Sequence, residues 1–146
     1  MKTLKTYEGF FDIFNKFNDE KELSICIINF INKIKPELNL TYSKRNSIYF
    51  IHQNKDDIFI NIEKIHFDEE IINITLYKPL DINIKKFLMS ESINEDLISG
   101  DNFNKTHFGN ITFSINKDNI KNYISLLTIE NYEKFIKHEK IKKFNL

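Results

Sequence analysis

The chain contains no alanine, no valine and no tryptophan, and only one arginine (Arg45), one cysteine (Cys26), three glycines and two prolines. Each scarcity excludes something. Without alanine, helices and sheets cannot pack at the closest range. The interior must then be built from Ile, Leu, Phe and Tyr, and the 14 phenylalanines supply large buried areas. One cysteine cannot form an intramolecular disulfide, so a reducing compartment is expected. Gly9, Gly100 and Gly109 stand alone, which removes the P-loop, the dinucleotide fingerprint and the nucleophile elbow. No apolar run approaches the ~18 residues of a membrane span. Met1-Lys2-Thr3-Leu4-Lys5 leads into a charged segment rather than an export leader. A cytoplasmic protein is expected, and the glycosylation-type triplets at Asn39, Asn73, Asn104 and Asn110 read as chance matches. The excess of Ile, Lys and Asn reads as translation of an AT-rich gene, of a bacterium, a phage or a mobile element.

What is present is pattern. Between Ser47 and Pro79 apolar residues alternate with polar ones. Ile58, Ile60 and Ile62 are expected on one side, with Phe59, Asn61 and Glu63 on the other. Ile72, Ile74 and Leu76 repeat the alternation. A period of two implies an antiparallel sheet with one face buried. Strands are predicted over 40–44, 47–52, 58–65 and 71–78, and again over 109–115. Leu4, Tyr7, Phe11, Phe14 and Phe17 have helical spacing. A second helix is predicted from a cap at Asp19, with Leu23, Cys26, Ile27, Phe30, Ile31 and Ile34 as its stripe, ended by Pro36. Asp81 is a cap for a helix carrying Ile84, Phe87, Leu88 and Leu97 and stopped by Gly100. The segment 101–107 reads as loop. Asn116 and Thr128 open the last two helices. With 146 residues and no linker or repeat, the expectation is a single α+β domain spanning 1–146. Its antiparallel sheet has four to five strands (meander 40–78 plus strand 109–115), with N- and C-terminal helices packed on it.

Net charge is zero but unevenly spread. Asp56, Asp57, Glu63, Asp68, Glu69 and Glu70 face only Lys64 within 56–70, a net −5. From 134 onward Lys134, Lys137, Lys140, Lys142 and Lys143 face only Glu139, a net +4. The acids are the candidate contacts to a protein partner, and the lysines the candidate contacts to nucleic acid.

Catalytic patterns are sparse. His52, His66, His107 and His138 have no metal-ligand spacing between them. His66-Phe67-Asp68 places a base near a carboxylate, but at a strand end. Cys26 falls on an apolar stripe, where a thiol acts as a small hydrophobe. Glu63-Lys64 has the wrong spacing for a metal-dependent nuclease, because neighbours on a strand face opposite ways. No catalytic residue, cofactor or metal is expected. Tyr49, Phe59 and Tyr77, with Lys44, Arg45, Lys55 and Lys78 nearby, could stack bases, though the neighbouring acids repel phosphate.

The succession Tyr49-Phe50-Ile51, Ile58 to Ile62, Ile71 to Leu76, His107 to Phe113 and Asp118-Asn119-Ile120 resembles a small bacterial α+β domain. That domain is labelled "predicted transport protein" and is often found beside nuclease-like domains. The resemblance covers about residues 49–127 and rests on element order. It implies the fold and carries no activity. The functional expectation is a non-enzymatic binding protein acting on a macromolecular partner. The expected type is an inhibitor or antagonist, as in phage anti-defence or toxin immunity. The alternative is a nucleic-acid-binding accessory module of nuclease or restriction systems. A homodimer through the first two helices is a further alternative.

Overall fold

The computed structural model describes residues 19–54, 56–65, 68–90 and 110–144. The helix expected over 4–18, the Gly100 stop and the loop at 101–107 lie outside them. Helix α1 (Asp19–Ile34) leads through a 3-10 turn (Pro36–Leu38) into strands β1 (Thr41–Arg45), β2 (Ile48–His52), β3 (Ile58–Ile65) and β4 (Asp68–Leu76). Helix α2 (Ile82–Ser90) follows, then β5 (Ile111–Asn116), a 3-10 turn (Lys117–Asn119), α3 (Ile120–Leu126) and α4 (Ile129–Phe144). The five strands form one sheet in the order β1-β2-β3-β4-β5, every neighbouring pair antiparallel. The expected α+β architecture, with helices from both sides of the meander packed on the sheet, is therefore present.

The inner face follows from the register. Ile62 pairs with Ile74 and Ile74 with Phe113, while Ile60, Leu76 and Ile111 form the next row. Tyr49, Ile51, Ile72 and Ile115 complete a fully apolar layer. Leu23, Ile27, Phe30 and Ile31 of α1, Ile84, Phe87 and Leu88 of α2, and Ile120 and Tyr123 of α3 close over it in one core. Each such side chain contributes about 1.5–3 kcal/mol when removed from water. Phe87 is the joint: its ring lies 5.3 Å from Phe30, 5.4 Å from Tyr132 and 5.6 Å from Phe135, so α1, α2 and α4 meet on it. Tyr123 is buried beside Phe113 and spends its hydroxyl proton on the Leu88 carbonyl at 2.8 Å.

Local chemistry sets the element ends. Asn46, at φ 58°, starts the two-residue turn between Arg45 and Ile48; asparagine tolerates this left-handed geometry. The Asp81 carboxylate accepts the amides of Asn83 (2.9 Å) and Ile84 (3.2 Å) and pairs with Lys35 at 3.2 Å. Burial alone would raise its pKa, but those amides and Lys35 outweigh it and hold Asp81 below the ordinary carboxylate value. Asn116 accepts the Asp118 amide and Thr128 the Asn131 amide, as the sequence predicts for caps. Asp19 is the first described residue of α1, and its carboxylate reaches Lys117 at 3.5 Å.

Two register shifts depart from simple alternation. Ile51 pairs with Ile60 but His52 pairs with Ile58, so Phe59 is the extra residue of a bulge. Phe59 is thereby buried, and Ile58 joins Phe50 and His52 on the opposite side, against the expectation that it points inward with Ile60. At the other end Lys64 pairs with Ile72 while Ile65 pairs with Asp68, and β4 begins three residues before the predicted Ile71.

Asn32 links helix to sheet. Its Oδ1 accepts the Leu40 amide at 2.8 Å and its Nδ2 donates to the Leu40 carbonyl at 3.1 Å, so one side chain satisfies both backbone groups of a buried residue. Asn32→Ala is expected to lower stability by about 1–3 kcal/mol, since it orphans a donor and an acceptor together. In urea titrations the midpoint should fall while the slope stays unchanged.

Candidate functional site

The candidate site lies at the β1 edge. Thr41, Ser43, Lys44 and Arg45 are exposed, and β1 has a neighbour on one side only among the described strands. Tyr42, Ser43, Lys44, Arg45, Phe50, His52 and Ile58 line an open hollow of about 340 Å³. The bulge at Phe59 is what turns Ile58 toward it. Phe50 and Ile58 are its half-buried apolar part, and Ser43 and Arg45 of β1 share their face; Tyr42 and Lys44 turn to the other face, where the Tyr42 ring lies 5.9 Å from that of Tyr49. His52 Nδ1 is buried with no hydrogen-bond partner among the described residues. So is Oδ1 of Asn61, the cross-strand partner of Phe50. Lys44 sits 5.4 Å from the centre of the Tyr49 ring, a cation–π contact, and Arg45 forms no ion pair with any described residue.

The rest of the outer face is a polar ladder. Asn61 Nδ2 donates to the Tyr77 hydroxyl at 2.6 Å, the Thr75 and Thr112 hydroxyls share a 3.2 Å bond, and Ser114 bonds the Asn73 amide oxygen. Burial raises the Tyr77 pKa, with Glu63 adding to the effect and the Asn61 bond opposing it. This tyrosine therefore stays neutral at physiological pH. Of the aromatics the sequence offers for base stacking, Tyr49 and Phe59 are buried in the core and Tyr77 is engaged with Asn61. Phe50, which the pattern did not single out, faces the hollow instead.

The six acids do not form one cluster. Asp56 and Asp57 are exposed at the β2–β3 turn, whereas Glu70 stands on β4 beyond the β3–β4 turn. The side chains of Asp68 and Glu69 lie outside the described residues. The eight residues of β3 separate the two turns by ~25 Å, taking about 3.3 Å per residue. Glu63, on β3, stands between Ile48 and Asn73. The lysines are gathered on α4. Lys134, Lys137, Lys140 and Lys142 are exposed there, but Lys134 pairs with Glu130 at 3.3 Å and Lys142 approaches Glu139 at 3.9 Å. The Lys143 side chain is outside the described residues.

Cys26 is half-buried. It lines a second hollow of about 310 Å³, together with Asn29, Phe30 and Lys33 of α1 and Ile124, Leu127, Thr128 and Ile129 of the α3–α4 corner. Burial, and to a lesser degree Glu22, raises its pKa, opposite to the shift an activated thiolate needs. His66 and His107 lie outside the described residues, so their convergence with a carboxylate falls there too. Among the described residues no group of three His, Cys, Asp or Glu gathers at metal-binding range.

Two buried charges escaped the sequence reading. Lys85 is buried on α2, where its ammonium donates to the Lys78 carbonyl at 3.4 Å. Burial lowers its pKa, partly offset by Asp81. Glu20 is buried on α1 with Lys64 of β3 at 3.6 Å. Both positions fall on polar letters in the pattern, and only the three-dimensional closure of helix on sheet buries them.

The fold and site define an α+β protein with a five-strand antiparallel meander whose cation-bearing β1 edge is covered by no other described strand. Compared with protein-family models, curated proteins and solved structures, the chain matches none of them. No described helix is long and apolar enough to cross a membrane.

Proposed function

We infer that the chain is a non-enzymatic binding protein whose partner is a macromolecule. The mode of action is that of an inhibitor or antagonist of the phage anti-defence or toxin-immunity type, working in the cytoplasm. The observation that carries this reading is the exposed β1 edge beside a hollow that combines Phe50, Ile58 and the chain's one arginine. Phenylalanine and arginine are among the residue types that protein interfaces favour. A sheet edge with free backbone groups adds a second, sequence-tolerant means of attachment.

The test is capture on the immobilised full chain from lysates of AT-rich bacteria, identified by mass spectrometry, alongside Phe50→Asp and Lys134→Glu/Lys137→Glu variants. A protein retained by the wild type and the α4 variant, but lost by Phe50→Asp, supports the reading. Retention that ignores Phe50→Asp removes it. Changing Asp56, Asp57, Glu63, Asp68, Glu69 and Glu70 to Asn or Gln separates the contact sets. If the acids dock in a basic cleft, affinity at low salt falls; if the β1 edge carries the contact, it holds.

The nucleic-acid alternative rests on α4. A gel shift at low salt, with Lys134, Lys137, Lys140, Lys142 and Lys143 changed to Gln in parallel, decides it. Because two of these lysines already have glutamate neighbours, the expected result is no shifted band for either protein.

A further inference from the structure

Resting on the binding reading above, we propose that the β1 edge receives an extended acidic segment of the partner protein as a sixth strand, with one acidic side chain directed to Arg45 at the hollow. The backbone supplies the first argument. Arg45 and Ile48 flank a two-residue turn and are register partners. In such a hairpin the flanking pair exchanges both ladder bonds, and every second pair does the same. Thr41, Ser43 and Arg45 therefore turn their amides and carbonyls toward β2, and Tyr42 and Lys44 turn theirs to the edge that no other described strand covers. That leaves two donors and two acceptors at the spacing an added strand requires.

Charge supplies the second argument and selects the occupant. Lys44 and Arg45 are consecutive on β1 and so project to opposite faces of the sheet. Neither pairs with a described carboxylate. A second copy of this chain, added antiparallel over the whole of β1, would set Thr41 against Arg45 and Tyr42 against Lys44 and would leave both cations without a counter-charge, whereas an acidic segment supplies one. An incoming segment with two consecutive acids would present one to each face. Lysine on an edge also discourages self-pairing, which accounts for the charge but not for the hollow. On the Arg45 face Phe50 stands across the short Ser43 side chain and gives an apolar place for a β-branched residue two positions from the acid.

The test uses the full chain and a fluorescein-labelled peptide Ile-Thr-Val-Glu-Glu-Val-Thr-Ile, with a Lys-Lys counterpart, in fluorescence anisotropy at low salt. The acidic peptide is expected to bind and the basic one not. Arg45→Glu should weaken binding by at least about tenfold, as reversal of an interface charge does. Lys44→Pro deletes an outward amide without touching the ladder to β2, and should weaken binding more than Lys44→Gln, which removes charge alone. Thermal melts establish that each variant is folded. Hydrogen exchange should show the Tyr42 and Lys44 amides gaining protection in the complex. Equal binding of both peptides, no binding of either, or indifference to Arg45→Glu overturns the proposal. So does a concentration-dependent dimer, seen by sedimentation, that Lys44→Pro dissolves. If the peptides fail while Phe50→Asp still releases a captured protein, the acidic strand is wrong and the binding reading stands.

Discussion

Phe87→Ala is expected to destabilise the protein by about 3–5 kcal/mol, a large part of the 5–15 kcal/mol that holds a typical domain together. Phe87 is fully buried, and its ring has three aromatic neighbours on two other helices, all within 5.6 Å. Truncation removes the transfer free energy of the ring and leaves a cavity whose walls cannot all collapse. Each helix is already held by other contacts, α1 through Asn32 and α2 through the Asp81 cap. Each aromatic pair adds roughly 0.5–1.5 kcal/mol beyond area, so Phe87→Leu should recover only part of the loss. The melting temperature of Phe87→Ala should fall by roughly 10 °C or more for a chain of this size. Phe135→Ala, at a half-buried site on α4, should cost clearly less. A Phe87→Ala loss under about 1 kcal/mol in urea titrations would mean that the three helices do not depend on this joint.

The strands were legible because each inward row is aliphatic or aromatic. Ile60, Ile62, Ile72, Ile74 and Leu76 sit at alternate letters, and their pairing places them on one face. The caps at Asp81, Asn116 and Thr128 were legible for the same local reason, since a cap needs only one side chain and an amide two or three residues on. Ile58 was not, because a bulge inserts one residue without any mark in the composition and reverses the facing of what precedes it. Nor was the dispersal of the acids. Asp56 and Glu70 are close in sequence, but an antiparallel meander sends successive turns to opposite ends of the sheet. The hollow was missed because its residues come from three strands, and because the first predicted strand ended at 44, one residue short of Arg45. What makes it a candidate site is the absence of a carboxylate partner among the described residues, a property of space rather than of sequence.

Lys64→Met is expected to destabilise the fold strongly near neutral pH, and far less in acid. Glu20 is 5% exposed, and the Lys64 ammonium stands 3.6 Å from its Oε1, just beyond hydrogen-bond length. That oxygen has no hydrogen bond among the described residues. Burial therefore raises the carboxyl's pKa above its ordinary value, and the attraction of Lys64 only partly offsets the rise. A carboxyl with a raised native pKa holds its proton more tightly in the folded chain. Its contribution to stability is complete below the unfolded value of 4.5 and is lost as pH climbs through the folded value. Lys64→Met removes the counter-charge and pushes the pKa higher still. Near pH 7 the cost should be roughly 2–3 kcal/mol, below that of a fully enclosed pair because the Lys64 side chain is 22% exposed. Near pH 4 the carboxyl is protonated and most of the cost should vanish. Glu20→Gln should change stability near pH 7 by less than about 1 kcal/mol, since an amide of the same shape avoids the desolvation cost. It should also flatten the pH dependence on the acid side. The double variant should then recover most of what Lys64→Met loses, because the buried charge that lacked its partner is gone. Urea titrations of the four proteins at two pH values measure all of this. An equal cost of Lys64→Met at both pH values would show that packing of the lysine stem, not the charge on Glu20, is what the substitution removes.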